Sequence, residues 1–366
     1  DAVRQCAEEV IKPQAIETDR NHKISDEIIQ TIAELGFLGS YFPEKYQGAG
    51  LDFLSYAIVV EEISKVCAST GVLVSAHTSL CCSPIYMFGS EEQKMEFLPP
   101  LMTGEKIGCF LLTEPEAGSD VANMMSTYRE EDDCYVVNGS KIFITNGGFK
   151  GTGIVFASKD RSLKHKGLSA FIVDLNTEGV EITGNEEKLG IRGSYTTAFG
   201  LDEVRIPKNN LLGEEGDGFK IAMETLNGGR IGIAAQALGI AGGAMDRSIA
   251  YAKERKQFGK PLAALQAIQF KIADMAMKIE GAQLVTYKAA YLKDQKKNHS
   301  KESAMAKTMA SEAATWVTKE AIQVHGGYGY VTEFEVERMF RDAKITEIYE
   351  GTNEVQRVVI SKMLLQ

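Results

Sequence analysis

The chain has no Cys-x-x-Cys pair among its six cysteines and only five histidines in 366 residues, none of them clustered at ligand spacing. No metal site is therefore expected, and unpaired thiols fit a reducing compartment. No window approaches 18 uninterrupted apolar residues, and the N-terminal DAVRQCAEEVIKPQ is amphipathic and charged. Neither a membrane span nor a signal peptide is expected, although a start at Asp1 rather than Met leaves a trimmed leader open. A basic excess is also missing. Lys and Arg number 40 against 50 Asp and Glu, a net charge of −10, and they are scattered, which argues against a nucleic-acid footprint. There is no internal repeat and no low-complexity tract. No GxGxxG follows a strand and opens a helix; the nearest run, Gly147 to Gly153, leads into a strand, so a Rossmann site is not expected.

What is present divides into three textures. Residues 1–105 read as a helical domain, with apolar residues at helical spacing in Ile28, Ile32, Leu35 and in Ile58, Val59, Ile63, Val66. Gln47 to Gly50 and Pro99-Pro100 read as breaks, and Ser90 followed by Glu-Glu-Gln reads as a helix N-cap. Residues 106–212 read as a β domain. Asn138-Gly139 between Cys134–Val137 and Lys141–Thr145 predicts a hairpin, and Gly153–Ala157, Leu168–Val173 and Thr197–Leu201 predict further strands. Residues 213–366 return to long helices, striped by Ile231, Ala234, Leu238, Ala241, Met245, then Leu265 to Ala282, then Ala306, Met309, Ala313, Trp316 and Val317. Wide, Ala-rich stripes predict a bundle of long helices. The fold class is α+β: an N-terminal helical domain, a middle β-barrel or sandwich domain and a C-terminal four-helix bundle.

Five motifs carry polar chemistry, and each alone has a bland reading. Phe110 to Asp120 (FLLTEPEAGSD) offers Thr113 and Ser119 hydroxyls around a flexible Gly118, or simply a turn. Phe143-Ile-Thr-Asn-Gly147 places a hydroxyl beside an aromatic at a strand end, where both types are also common strand formers. Tyr251 to Pro261 (YAKERKQFGKP) ends a helix at Gly259 with cations in its last turn, suited to a diphosphate or to the helix dipole. Gln323 to Tyr330 (QVHGGYGY) has three glycines where a C-cap needs one. Ile345 to Glu354 (ITEIYEGTNE) sets Glu350 between an aromatic and a glycine, before a helix that Thr352 or Asn353 would cap. Desolvation raises the pKa of such a carboxylate and suits it to general-base work, although solvated loop acids are commoner.

In this order and over essentially the whole chain, LTEPEAGSD, KIFITNGG, ERKQFGKPL, QVHGGYGY and YEGTNE resemble the acyl-CoA dehydrogenase flavoenzymes. GRIGIAAQALGIA and DAKITEIYEGTNEVQR are most similar to the short-chain, butyryl-CoA branch. The resemblance implies a homotetramer, a dimer of dimers, with FAD extended at a subunit interface. Its isoalloxazine ring would rest against Phe110, Leu112, Thr113, Phe143 and Thr145. Arg255, Gln257, Phe258, Gln323 and Gly327 match positions where a neighbouring subunit holds the diphosphate and adenosine, and Thr352 and Glu354 match further FAD contacts. Glu350 matches the base that removes the α-proton of an acyl thioester while hydride leaves the β-carbon for the flavin. In such enzymes the backbone N–H of the base and a flavin ribityl hydroxyl polarise the thioester carbonyl, an arrangement worth about 3 kcal/mol per donor.

Branches that carry the base on the bundle helix have Glu immediately before the Arg matched here by Arg230; this chain has Gly229 there. That supports Glu350 as the base. Ser119, Leu226, Asn227, Arg230, Tyr349 and Gly351 match substrate-side positions. Asn227 replaces an Asp common at its position, and Phe143 stands where many relatives have Trp. Leu73 to Pro84 (LVSAHTSLCCSP) matches the acyl-pocket wall and is one residue shorter than in medium-chain relatives; His77 reads as packed and Cys81-Cys82 as buried thiols.

The resemblance implies oxidation of a short acyl-CoA to the trans-2-enoyl-CoA, with electrons passed to electron-transferring flavoprotein. Alternatives are the reverse enoyl-CoA reduction, branched, cyclic or aryl acyl groups, an acyl-CoA oxidase, and a non-catalytic scaffold that kept the fold. A bacterial cytoplasm is the expected location, with the mitochondrial matrix as the alternative.

Overall fold

A computed structural model describes residues 1–366. The first third is helical: α1 (Ala2–Cys6) runs through a π segment and a 3-10 turn into α2 (Ala15–Asn21), followed by α3 (Asp26–Glu34), α4 (Phe53–Ser64), α5 (Ala68–Ala76), α6 (Ser83–Phe88) and α7 (Glu91–Met102). Local chemistry sets the starts. The Ser25 hydroxyl accepts from Ile28 N at 3.2 Å, with Asp26 and Glu27 in the first turn at the positive end of the helix dipole. Ser90 and Gln93 form a reciprocal capping box at the head of α7.

Ile28 and Ile32 are buried as their spacing predicts, whereas Leu35 lies beyond α3 and is exposed. Pro99 and Pro100 do not break the chain where they stand. They sit inside the last turns of α7, which ends at Met102, with Thr103 N and Gly104 N closing on Pro99 O and Leu101 O. The stretch Ala68–Phe88 is long and apolar enough by composition to cross a membrane, but 83% of its apolar 18-residue window is buried inside this fold.

The middle of the chain forms one eight-stranded sheet: β1 (Gly108–Leu111), β2 (Thr127–Glu130), β3 (Cys134–Thr145), β4 (Thr152–Ser158), β5 (Leu168–Asp174), β6 (Val180–Asn185), β7 (Thr196–Pro207) and β8 (Leu211–Leu212). The order is β6-β7-β3-β2-β4-β5-β8, with β1 parallel to β4. Alternation divides β4 as a two-sided strand should: Ile154 and Phe156 pack toward α6 and α7, while Val155 and Ala157 pack with Phe171 and Val173 on the other face.

The hairpin predicted at Asn138-Gly139 is absent, because β3 runs unbroken through it. The positive φ of Gly139 serves a β-bulge against β7 instead. Asn138 satisfies that bulge by accepting from Glu203 N at 2.9 Å and donating to Glu203 Oε1 at 2.7 Å. A Cβ at Gly139 would lie 2.1 Å from Ser126 Oγ, so the bulge also admits a close neighbour.

The last third holds α8 (Gly218–Glu254), a small hairpin of β9 (Lys256–Gln257) and β10 (Lys260–Pro261), then α9 (Gln266–Asp294), α10 (Ser300–His325), α11 (Val336–Ile345) and α12 (Asn353–Leu365). Helix α8 ends at Glu254, five residues before the expected Gly259; Arg255 is its C-cap, its N–H donating to Tyr251 O at 2.8 Å, and Lys256 begins the hairpin. Ala237, Ala241, Ala306, Ala310, Ala314 and Val317 build the shared core, while Met309 is partly exposed. Close packing against the N-terminal helices depends on glycine: a Cβ at Gly239 would lie 2.2 Å from Glu61 O, bringing α8 onto α4.

Candidate active site

The loop between α11 and α12 carries Glu350. Ile348 N and Tyr349 N close on Ile345 O, after which Glu350 (φ 54°) and Gly351 (φ 93°) turn the chain back through left-handed conformations. For Glu350 that conformation costs about 1–2 kcal/mol, so neighbouring contacts must hold it. Gln356, at the buried base of α12, donates to Gly351 O at 2.8 Å and Glu350 O at 3.3 Å. Thr352 Oγ1 caps α12 by accepting from Val355 N at 3.3 Å. The Tyr349 hydroxyl donates to Gln236 on α8, whose amide donates to Ala68 O.

The carboxylate so placed lies over α8. A Cβ at Gly229 would sit 2.1 Å from Glu350 Oε2 and 3.0 Å from Leu80, so only glycine there leaves room for this acid. Oε2 is sealed from solvent and has no hydrogen-bond partner. Burial pushes the Glu350 carboxyl up to about 8, opposed by the positive charges of Arg230 and Lys307. Arg230, almost fully buried, donates to Asn227 Oδ1 at 2.7 Å and leaves its Nε unpartnered. The residue that departs from the common Asp is therefore engaged with Arg230. Leu226 shares this segment of α8, whereas Ser119 is exposed in the loop after β1.

A second group gathers at a strand edge. Phe110 is the penultimate residue of β1, with Leu112 and Thr113 just beyond the strand, and Ile142 N donates to Thr113 O at 3.0 Å, joining this segment to β3. Phe143 stands in a break of register between Lys141 and Ile144, with φ 60° and 59% exposed, and Thr145 closes the strand. Beneath them lies a buried ion pair that the motifs did not reveal. Lys141 Nζ donates to Glu114 Oε1 at 2.7 Å, and Glu114 also accepts from Met125 N and Ser126 N. Burial drives the Lys141 ammonium down to about 8, whereas Glu114, although burial opposes it, is held below the usual carboxylate range by Lys141.

A third group lines a cleft of about 610 Å³ between the β9–β10 hairpin and the end of α10, bordered by Arg255, Gln257, His325, Gly327 and Tyr328. The Arg255 guanidinium lies over the Tyr328 ring at 5.3 Å, and Tyr251 stacks on His325 at 4.3 Å. Phe258, at the hairpin tip, is 90% exposed with φ 53°. A Cβ at Gly326 or Gly327 would meet nothing within 4 Å, so the loop opens outward there, whereas a Cβ at Gly329 would lie 2.6 Å from Ile322 O. Gln323 and Glu354 are exposed. Within one chain neither Glu350 nor Arg230 lines this cleft. A larger cleft of about 810 Å³, between α3, residues 103–107 and residues 149–151, contains no residue of the five polar motifs.

Residues 73–84 are buried throughout and wall the side of α8 nearest Leu80 and Gly229. His77 is packed and held neutral, its pKa lowered by burial to about 4, with Gly108 N donating to Nδ1. All six cysteines are free and buried. Sequence reasoning missed Lys307, Gln236 and Gln356; for Lys307 the signal was a lysine inside the alanine stripe of α10.

Comparison with known proteins matches three family models: the acyl-CoA dehydrogenase N-terminal domain over residues 1–105, the middle domain over 109–204 and the C-terminal domain over 216–365. The mitochondrial short-chain specific acyl-CoA dehydrogenase of Mus musculus is 53% identical over 363 residues, covering 99% of this chain and 88% of that protein. The short-chain specific acyl-CoA dehydrogenase of Clostridium acetobutylicum is 52% identical, covering 98% and 95%. Among solved structures, butyryl-CoA dehydrogenase from Megasphaera elsdenii superposes with a TM-score of 0.98 at 48% identity, covering 100% and 96%. A chain solved in work on the electron transferring flavoprotein of Acidaminococcus fermentans and flavin-based electron bifurcation gives 0.98 at 49%, with the same coverage. A glutaryl-CoA dehydrogenase from Mycobacterium smegmatis in complex with FADH2 gives 0.93 at 32%, covering 99% and 92%. With all three models matched across its length, this chain belongs to the acyl-CoA dehydrogenase family, a family of flavoprotein oxidoreductases.

Proposed function

We propose that the protein oxidises short-chain acyl-CoA thioesters, butyryl-CoA-like in length, to the trans-2-enoyl-CoA with FAD, passing electrons to electron-transferring flavoprotein. The observation that carries this reading is Glu350: a carboxylate held in a left-handed turn and fitted over a glycine, its Oε2 sealed from water and without a partner. An acid that the protein itself leaves unbonded is suited to accept a proton from a ligand.

The remaining residues fit a flavin. Phe110, Leu112, Thr113, Phe143 and Thr145 offer an apolar edge with two half-buried hydroxyls, suited to a flat ring. Arg255, Gln257, Phe258, Gln323 and Gly327 offer a cation, an amide, an exposed ring and an open backbone, suited to the diphosphate and adenosine of FAD held by a neighbouring subunit. Thr352 and Glu354 complete the set beside the base. Bound FAD supplies the acceptor for the hydride that leaves the β-carbon. Glu350 takes the α-proton onto its carboxylate, and Arg230 and Lys307 offset the charge the base carries before that transfer. Ser119, Leu226, Asn227, Arg230, Tyr349 and Gly351 form the substrate side. The 73–84 segment is buried throughout, which suits it to wall a dry pocket for a short chain.

The assembly we infer is a homotetramer. Phe270, Met277, Leu284 and Tyr291 fall seven residues apart on α9, each more than half exposed, an apolar stripe suited to a second copy. Relatives named from bacteria and from mitochondria support a bacterial cytoplasm, or alternatively the mitochondrial matrix. The likeness to a chain from the bifurcating flavoprotein system favours a second direction at the same site, enoyl-CoA reduction.

Anaerobic bleaching of the flavin band by acyl-CoA thioesters from C4 to C16 tests the reading. Bleaching strongest near C4 is expected; a maximum at long or branched chains overturns the short-chain assignment, and a purified protein without flavin absorbance overturns the enzyme itself.

A further inference from the structure

Lys307, on the inner side of α10, has no exposed surface and makes no ion pair. Its Nζ donates to Asn353 Oδ1 at 3.0 Å, a neutral amide at the first position of α12. An ammonium withdrawn from water with only an amide for company is costly and calls for a counter-charge nearby. The charged groups facing it are Glu347 and Glu350 from the loop after α11, Glu354 from α12 and Arg230 from α8. Glu347 is already paired with Lys344, and Glu354 is exposed to water. Glu350 remains, with its unpartnered Oε2.

Asn353 links the two mechanically as well. Its side chain donates to Ser311 Oγ at 3.0 Å on α10, and its backbone N–H donates to Glu347 O at 3.0 Å. Lys307 and Ser311 thus grip one residue whose backbone closes the loop that carries the base. Resting on the reading of Glu350 as that base, we propose that Lys307 is its positioning residue, anchoring the loop through Asn353 and supplying the buried positive charge against which the carboxylate ionises.

The groups facing Glu350 are Arg230 from α8, Lys307 from α10, Tyr56 from α4 and Tyr349 beside it in the loop. Of the two cations, Arg230 also bonds Asn227, whereas the one side-chain hydrogen bond of Lys307 goes to the loop's own anchor. Burial lowers the Lys307 ammonium to about 8, with Glu350 the leading charge that opposes the fall, as expected of a cation short of counter-charge.

The test is infrared titration of the FAD-loaded protein, following the carboxyl band that is absent from Glu350→Gln, in wild type, Lys307→Met, Lys307→Arg and Asn353→Asp. The midpoint is expected to rise by about one pH unit in Lys307→Met, to return toward wild type in Lys307→Arg, and to rise in Asn353→Asp, which gives Lys307 its own ion partner. Bleaching by butyryl-CoA below the midpoint should then be about tenfold slower in Lys307→Met and should converge on wild type above it. An unmoved midpoint in both Lys307→Met and Asn353→Asp, or a rate lowered equally at every pH in both Lys307 variants, overturns the proposal. Unimpaired bleaching in Glu350→Gln would instead sink the base assignment, and the infrared midpoint would still report on Lys307.

Discussion

Two buried acids in this molecule meet opposite fates. Glu114 is closed: it pairs with Lys141 at 2.7 Å, accepts two backbone N–H groups, and has no valence left for a ligand. Glu350 is open: it has two cations in its surroundings, an unpartnered oxygen and a strained backbone, and its carboxyl is raised to about 8 while that of Glu114 is lowered. A satisfied buried charge holds structure together, here the segment bearing Thr113 against the strand bearing Phe143 and Thr145. An unsatisfied one stores the capacity to react.

Breaking the open site should cost activity and not fold. Glu350→Gln is expected to slow flavin reduction on the order of 10²- to 10⁴-fold in stopped-flow measurements while the protein stays folded. Its thermal stability should also respond to pH with a definite sign. The folded pKa of Glu350 lies above the unfolded one, so its contribution is fully present below about 4.5 and is lost as pH rises through about 8. Glutamine does not titrate, so the melting temperature of the variant relative to wild type should climb between pH 5 and pH 8; a constant difference would contradict the burial of the acid.

Breaking the closed site should do the reverse. Lys141→Met strands Glu114 as a buried, unpaired charge and should cost about 3–5 kcal/mol in urea unfolding, with FAD retention falling as the strand edge loosens. Loss of activity without loss of stability would erase the distinction between the two acids. Gly229→Ala probes the fit of the open site more finely. The added methyl meets the carboxylate at 2.1 Å, and a shift of the base by about 1 Å should lower the bleaching rate about 100-fold with little change in substrate affinity. Thr352→Ala, which removes the cap behind the base loop, should cost about 1 kcal/mol in the same unfolding assay.

Much of this was legible in the residues. The helical, β and helical textures, the N-caps at Ser90 and Thr352, and the strands β4, β5 and β7 follow from period and turn chemistry. Asn138-Gly139 misled because a positive φ serves a bulge as well as a turn, and only the partner strand decides between them. The end of α8 misled because cations suit a helix terminus and a hairpin alike. The setting of Glu350 could be guessed from Tyr349 and Gly351, but its glycine floor lies at residue 229 and its buried cation at residue 307, pairings that local pattern does not encode. Lysine reads as a surface residue, so Lys141 and Lys307 were passed over.

The account rests most heavily on Glu350 as the ionised base, and anaerobic bleaching by butyryl-CoA followed against pH tests it directly. The rate should rise with pH through a midpoint of about 8 in wild type and be slow and flat across the range in Glu350→Gln. A rising limb of near wild-type size in Glu350→Gln would contradict it and place the base elsewhere.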